Sequence, residues 1–199
     1  VQKLRQASGA GMMDAKKALD EATGDFDAAL QALREKGLAK ADSRSDRESS
    51  NGAIAIAQNE NAVALVELKS ETDFSAKAED FLTLTQEIAE LVLAGGEDSV
   101  AEKSAEIDDL RIAKKENIQL GTVRRIDIEG GSIVDAYLHT DQEGRGINGV
   151  VVQGKDVSSE VLHEVALHIA FAKPSALSRD EVPSEEIEKE RESALGVTK

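Results

Sequence analysis

Three histidines, His139, His163 and His168, are the side chains best suited to proton transfer near neutral pH. His163 and His168 stand five residues apart in one helical pattern, a spacing that does not put them on a common face. A shared zinc site is therefore not expected. Cysteine is absent, which removes thiolate ligands, thiol nucleophiles and disulfide scaffolds. Asp108-Asp109 and Glu185-Glu186 are adjacent carboxylates, but both pairs fall in charged helical stretches. A general acid needs surroundings that shift its pKa, and a solvated helix surface does not supply them. The phosphate-cradling loop, the dinucleotide glycine fingerprint and the nucleophile elbow are all missing. An enzyme using His139 or His168 as a base would need the pair to converge with a carboxylate in one pocket. No catalytic residue, cofactor or metal site is expected.

Composition narrows the partners. The 199 residues carry a formal net charge of -15, with a pI near 4.7. Binding that rests on phosphate contacts needs clustered Lys and Arg, so direct nucleic-acid binding is not expected. Anionic membrane surfaces are disfavoured for the same reason, and no stretch has the length of a membrane-spanning helix. The partner should be a protein, one with basic patches, since complementary charge speeds encounter. The lack of cysteine fits a reducing, cytoplasmic setting. Apolar residues make up 40 % but aromatics only 3 %, so the core must be built from Ala, Val, Ile and Leu. The first residue is Val in a helical pattern rather than Met, and the natural N-terminus is expected to be missing or disordered.

The elements that must position any site follow from periodicity. Residues 1–37 read as a three-helix unit: a short helix ending at Leu4, a turn at Ser8-Gly9-Ala10-Gly11, then Met12 to Ala22 and Phe26 to Lys36. Phe26, Ala29, Leu30 and Leu33 should point inward, Asp25 should cap the third helix, and Gly37 should end it. Residues 38–51, with alternating charges, read as a linker, with the solvated face of a longer helix as the alternative. Ala53 to Ala57 and Ala62 to Lys69 are strand patterns around an Asn59-Glu60-Asn61 turn. Phe81 to Ala94 is an amphipathic helix, and a charged helix is expected over Ser99 to Lys115. Strands are expected at Ile118 to Ile128, Ser132 to His139 and Ile147 to Gln153, with a glycine-rich turn at Gly144-Arg145-Gly146. Ser158 should cap a helix running to Phe171, and Pro183 should open a last one, Ser184 to Ala194. Leu162 to Leu167 echoes Leu84 to Ala89, so the core reads as two related hairpin-plus-helix units, 52–128 and 129–199. The fold class is α+β, with helices covering antiparallel strands.

Two segments resemble a known family. Leu4 to Leu19, with Gly9-Ala10-Gly11-Met12-Met13-Asp14-Ala15-Lys16-Lys17 at its centre, resembles the opening of elongation factor Ts. Glu71-Thr72-Asp73-Phe74-Ser75-Ala76-Lys77, directly after a strand, resembles that family's Thr-Asp-Phe signature. Gly24-Asp25, Asn117-Ile118, Arg124-Arg125, Tyr137-Leu138-His139 and Leu167-His168-Ile169-Ala170 also look like family positions, so the resemblance covers nearly the whole chain. Ser75 departs from it, standing where an apolar residue is usual. Lys114-Lys115 departs where an apolar residue and Gly are common. The chain also stops soon after Pro183, where family members typically continue, and the second half of the core is expected to be unfinished.

The resemblance implies a ubiquitin-associated-like N-terminal unit and a non-catalytic factor that binds the translation GTPase EF-Tu and promotes GDP release. It implies that Met12 and Met13, with Arg5 nearby, dock on the nucleotide domain. It implies that Asp73 and Phe74, following Thr72, intrude near the magnesium site, and that His168 presses on the phosphate-loop side. From the residues alone, alternatives stay open. Met12 and Met13 either fill the core or form a docking surface, since one of two adjacent helical residues must face away and thioethers adapt to partners. Thr72 or Asp73 either caps a helix with Phe74 in the core, or Phe74 is an exposed wedge whose burial yields roughly 2–3 kcal/mol. Arg5 is otherwise a solvated charge. A helical interaction module for another cytosolic partner is the rival function. Monomer and two-to-two complex are both compatible with the sequence.

Overall fold

The computed structural model describes residues 1–197; the last two residues of the expected second unit, 198 and 199, lie outside them. Helices α1 (Gln2–Ser8), α2 (Met12–Glu21) and α3 (Phe26–Asp42) form the N-terminal unit; α1 does not end at Leu4 but runs to Ser8, where the left-handed Gly9 stops it. Leu4, Ala15, Ala18, Ala29 and Leu33 make its core. Met12 and Met13 open α2 outside that core and are exposed, at 50 % and 77 %, which overturns the core-filling alternative for both. Phe26 is also 40 % exposed rather than inward. Asp25 caps α3 as expected, its carboxylate accepting from Ala28 N–H at 3.1 Å. Of the two turn glycines, Gly9 needs its freedom, with φ 65 at the end of α1. Gly11 has φ -65, which any residue adopts.

Gly37 does not end α3, which runs on to Asp42. The first part of the expected linker is therefore helical, as in the longer-helix alternative. Gly37 sits where α3 crosses α6 (Ser104–Lys114), and a Cβ there would lie 3.0 Å from Ile112 Cγ2. Ion pairs finish that seat: Arg34 with Asp109 at 3.0 Å and Arg111 with Asp42 at 3.0 Å.

Strands β1 (Asn51–Gln58), β2 (Ala62–Ser70), β3 (Gln119–Asp127), β4 (Ser132–Thr140) and β5 (Gly146–Lys155) form one antiparallel sheet in the order β3-β2-β1-β5-β4. Period-two alternation puts Ala53, Ala55 and Ala57 on one face, opposite Leu68, Val66 and Ala64. These small residues admit α5 (Glu79–Gly95), whose Phe81, Leu84, Ile88, Ala89 and Val92 complete the main core. The core is thus aliphatic, with Phe81 as its aromatic. A short helix, α4 (Asp73–Ala76), links β2 to α5. The charged helix expected over Ser99 to Lys115 is split: Glu97–Lys103 is 3-10, and α6 follows.

The second hairpin, β4–β5, is covered by α7 (Ser159–Ala172), which buries Leu162 and Ala166. A second helix, α8 (Ser184–Val197), follows Pro183. The hairpins join where β1 meets β5 at Ile54 and Gly146, so they share one sheet. A Cβ at Gly146 would collide with the Ile54 carbonyl, so glycine is what permits the junction. The α+β architecture is as expected from the sequence. No helix among the described residues is long and apolar enough to cross a membrane.

Candidate functional site

The Thr72–Phe74 motif occupies the turn where β2 gives way to α4. Thr72 is its N-cap: its hydroxyl accepts from Ser75 N–H at 3.3 Å. Phe74 is 85 % exposed, so the alternative that buried it in the core is overturned. Asp73 opens α4 and pairs with Lys77 at 3.3 Å; Lys77 also pairs with Glu143 of the β4–β5 turn at 3.2 Å. The hydrogen bonds that Lys77 donates to Glu143 and Asp73 raise its pKa above the ordinary lysine value. The turn is thereby tied to both hairpins.

Its main anchor comes from the other side. Glu116 follows α6, and one of its carboxylate oxygens accepts from Glu71 N–H and Thr72 N–H, each at 3.1 Å. The other accepts from the Thr72 and Ser75 hydroxyls, each at 2.7 Å. Burial pushes the Glu116 carboxyl up, but these bonds outweigh it and hold the group below the usual glutamate range. Glu71 returns the contact, accepting from Asn117 N–H at 2.7 Å. Asn117 is buried and donates to the Ser45 and Arg47 carbonyls at 2.9 and 2.7 Å, while the Asn117 carbonyl accepts from the Ser49 hydroxyl at 2.6 Å. The motif, the segment after α3 and the start of β3 are one hydrogen-bonded assembly.

The remaining candidates are spread over other elements. Arg5 is exposed on α1, and Met12 and Met13 open α2. His168 is exposed on α7, where Val161 and Val165 precede it by seven and three residues on the same side and are exposed too. Of the other histidines, His139 hydrogen-bonds Tyr137 at 3.1 Å. The carboxylate of Asp135 meets His163, at 3.1 Å, rather than His139 or His168. The convergence that an enzyme using either of those two would need is not found among the described residues. No group of three metal-binding side chains is assembled among the described residues.

The comparisons with known proteins decide the family. The family model Elongation factor TS matches residues 71–198, a span that opens at the motif itself. The elongation factor Ts of Cutibacterium acnes is 44 % identical, with 100 % of this chain and 75 % of that protein covered. The elongation factor Ts of Alkalilimnicola ehrlichii is 40 % identical, over 96 % of this chain and 68 % of that protein. That of Xanthomonas campestris is 41 % identical, over 98 % and 68 %. The chain belongs to the elongation factor Ts family. The translation elongation role comes with that membership.

Both departures from the family pattern acquire a physical account. Ser75, in place of an apolar residue, is 6 % exposed and spends its hydroxyl on Glu116. Lys115, in place of Gly, holds φ 58 and ψ 31, a left-handed conformation that favours glycine. Lys114 instead makes an ion pair with Asp80 at 2.6 Å. Glu116 itself escaped the reading of the sequence. A Glu-Asn pair at the entrance to a strand is ordinary turn composition, and nothing local links it to a motif 44 residues earlier.

Proposed function

We propose that the protein is a guanine-nucleotide exchange factor for EF-Tu, acting in the cytoplasm and performing no bond chemistry of its own. The observation that carries this reading is Phe74: a large apolar side chain 85 % exposed, on a turn held from both sides by hydrogen bonds and ion pairs. A mobile loop would lose its binding energy to ordering, whereas a fixed turn keeps it for the partner.

Exchange requires only differential affinity. GDP and Mg²⁺ are held by a phosphate-cradling loop and ordered metal ligands. A factor that binds the nucleotide-free state better weakens GDP binding by the same factor, because the coupling is reciprocal. In this reading Phe74 wedges beside the magnesium site, and Asp73 competes for groups that organise the metal's water shell. Thr72 sets the turn. Met12 and Met13, with Arg5, dock on the nucleotide domain, and the exposed side of α7 bearing His168 presses on the phosphate loop. GTP binding then expels the factor.

The test is gel filtration with nucleotide-free EF-Tu. The two proteins are expected to co-elute and to separate when GDP is added in excess. Separate elution without nucleotide would overturn the assignment of partner.

A further inference from the structure

Phe74 cannot hold its own position. At 85 % exposed it contributes almost no burial to α4, and α4 spans only Asp73–Ala76. A single helical turn is not stable in isolation, because nucleation fixes several residues for one hydrogen bond. The direction in which Phe74 projects must therefore be set from outside the turn. Glu116 supplies that control. Its carboxylate takes two backbone N–H groups that enter the turn and two hydroxyls that flank Asp73 and Phe74. Hydrogen bonds to an ionised acceptor are roughly twice as strong as neutral ones. Because Glu71 reaches back to Asn117 N–H, the contact is a two-way latch rather than a single tether.

We infer that Glu116 is a positioning residue for exchange: it fixes the Thr72–Ser75 turn and so aims Phe74 at the partner, with the Ser75 hydroxyl as part of the latch. The inference rests on the wedge reading above. Aiming matters because a side chain presented in its bound geometry saves the cost of ordering it during binding. Glu116 does not touch the partner in this account. It acts through Phe74, so its effect belongs to the step after docking rather than to docking itself.

The experiment is release of fluorescent GDP from EF-Tu as a function of factor concentration. Wild-type protein must accelerate release; if it does not, the exchange reading fails and this inference falls with it. With wild-type active, Glu116→Ala is expected to lower the rate at saturation about tenfold, the effect of losing charge-assisted hydrogen bonds at one site. The half-saturating concentration should stay within about twofold, since docking is untouched. Glu116→Gln keeps an oxygen for the Glu71 and Thr72 amides and is expected to recover most of the rate. In a Phe74→Ala background, Glu116→Ala should add nothing, whereas a general structural defect would add its full loss. An unchanged maximal rate in Glu116→Ala, or an undiminished further loss on top of Phe74→Ala, overturns the inference. If Glu116→Ala fails to fold by circular dichroism, Ser75→Ala is read in the same way. A two- to threefold fall, roughly one weakened hydrogen bond, that vanishes with Phe74→Ala supports the latch; no fall overturns it.

Discussion

Ser75 Oγ lies 2.7 Å from Glu116 Oε1, a hydrogen bond that spans 41 residues of sequence. It joins the motif turn to the loop between α6 and β3, and it accounts for a serine where the family usually has an apolar residue. Removing the hydroxyl in Ser75→Ala leaves the carboxylate with three donors. Stability is expected to fall by about 1.5 kcal/mol, the low end for a bond to a charged group. Urea unfolding should show the midpoint moving down with an unchanged slope.

Lys115 holds a left-handed conformation, φ 58 and ψ 31, without glycine. Left-handed geometry costs a side chain about 1–2 kcal/mol, partly offset by the extra unfolded-state entropy of glycine. Lys115→Gly is therefore expected to stabilise the fold by about 0.5–1 kcal/mol, raising Tm by roughly 1–4 °C for a chain of this size. Differential scanning calorimetry checks it.

Glu116 also gives the pH dependence a sign. Its folded pKa lies below the ordinary glutamate value. A depressed carboxylate contributes stability that is fully present above its unfolded pKa and is lost as pH falls through the folded value. Asp14, held down by Lys36, acts in the same direction. Stability is thus expected to be flat with respect to these groups at neutral pH and to decline below about pH 4.5. Glu116→Gln should make that decline shallower in acid titrations followed by circular dichroism. A decline as steep as wild type would remove Glu116 from the acid response.

Much of the frame was legible in local patterns. The alternation of Ala53, Ala55 and Ala57 marked a strand with one buried face, and Phe81, Leu84 and Ile88 marked the helix that covers it. What stayed illegible depends on partners distant in sequence. Gly37 read as a helix stop because its true role, admitting Ile112 of α6, is invisible locally. Phe26 read as inward because helical spacing groups it with Ala29 and Leu33 and does not reveal that the core buries only the latter two. Residue type offers either Thr72 or Asp73 as a helix cap, and three residues do not decide whether Phe74 faces core or solvent. The latch was the least legible part, since Glu116 and Asn117 meet the motif only through the folded chain.

Docking and wedging should separate kinetically. Met13 is 77 % exposed at the start of α2, on a different unit from Phe74. Met13→Ala is expected to raise the half-saturating concentration about five- to tenfold, the loss of roughly 1–1.4 kcal/mol of apolar contact. The rate at saturation should be unchanged. Stopped-flow GDP release over a concentration series makes the distinction, and a lowered plateau would assign Met13 to the exchange step instead.

Phe74 carries the central claim, so Phe74→Ala is its most direct test. The side chain makes no core contact that its loss would disturb, and the variant should melt at the wild-type temperature. GDP release from EF-Tu at saturating factor is expected to slow by at least about tenfold, since burying a phenylalanine is worth roughly 2–3 kcal/mol and only a share is needed. Release at the wild-type rate by a folded Phe74→Ala protein would contradict the account.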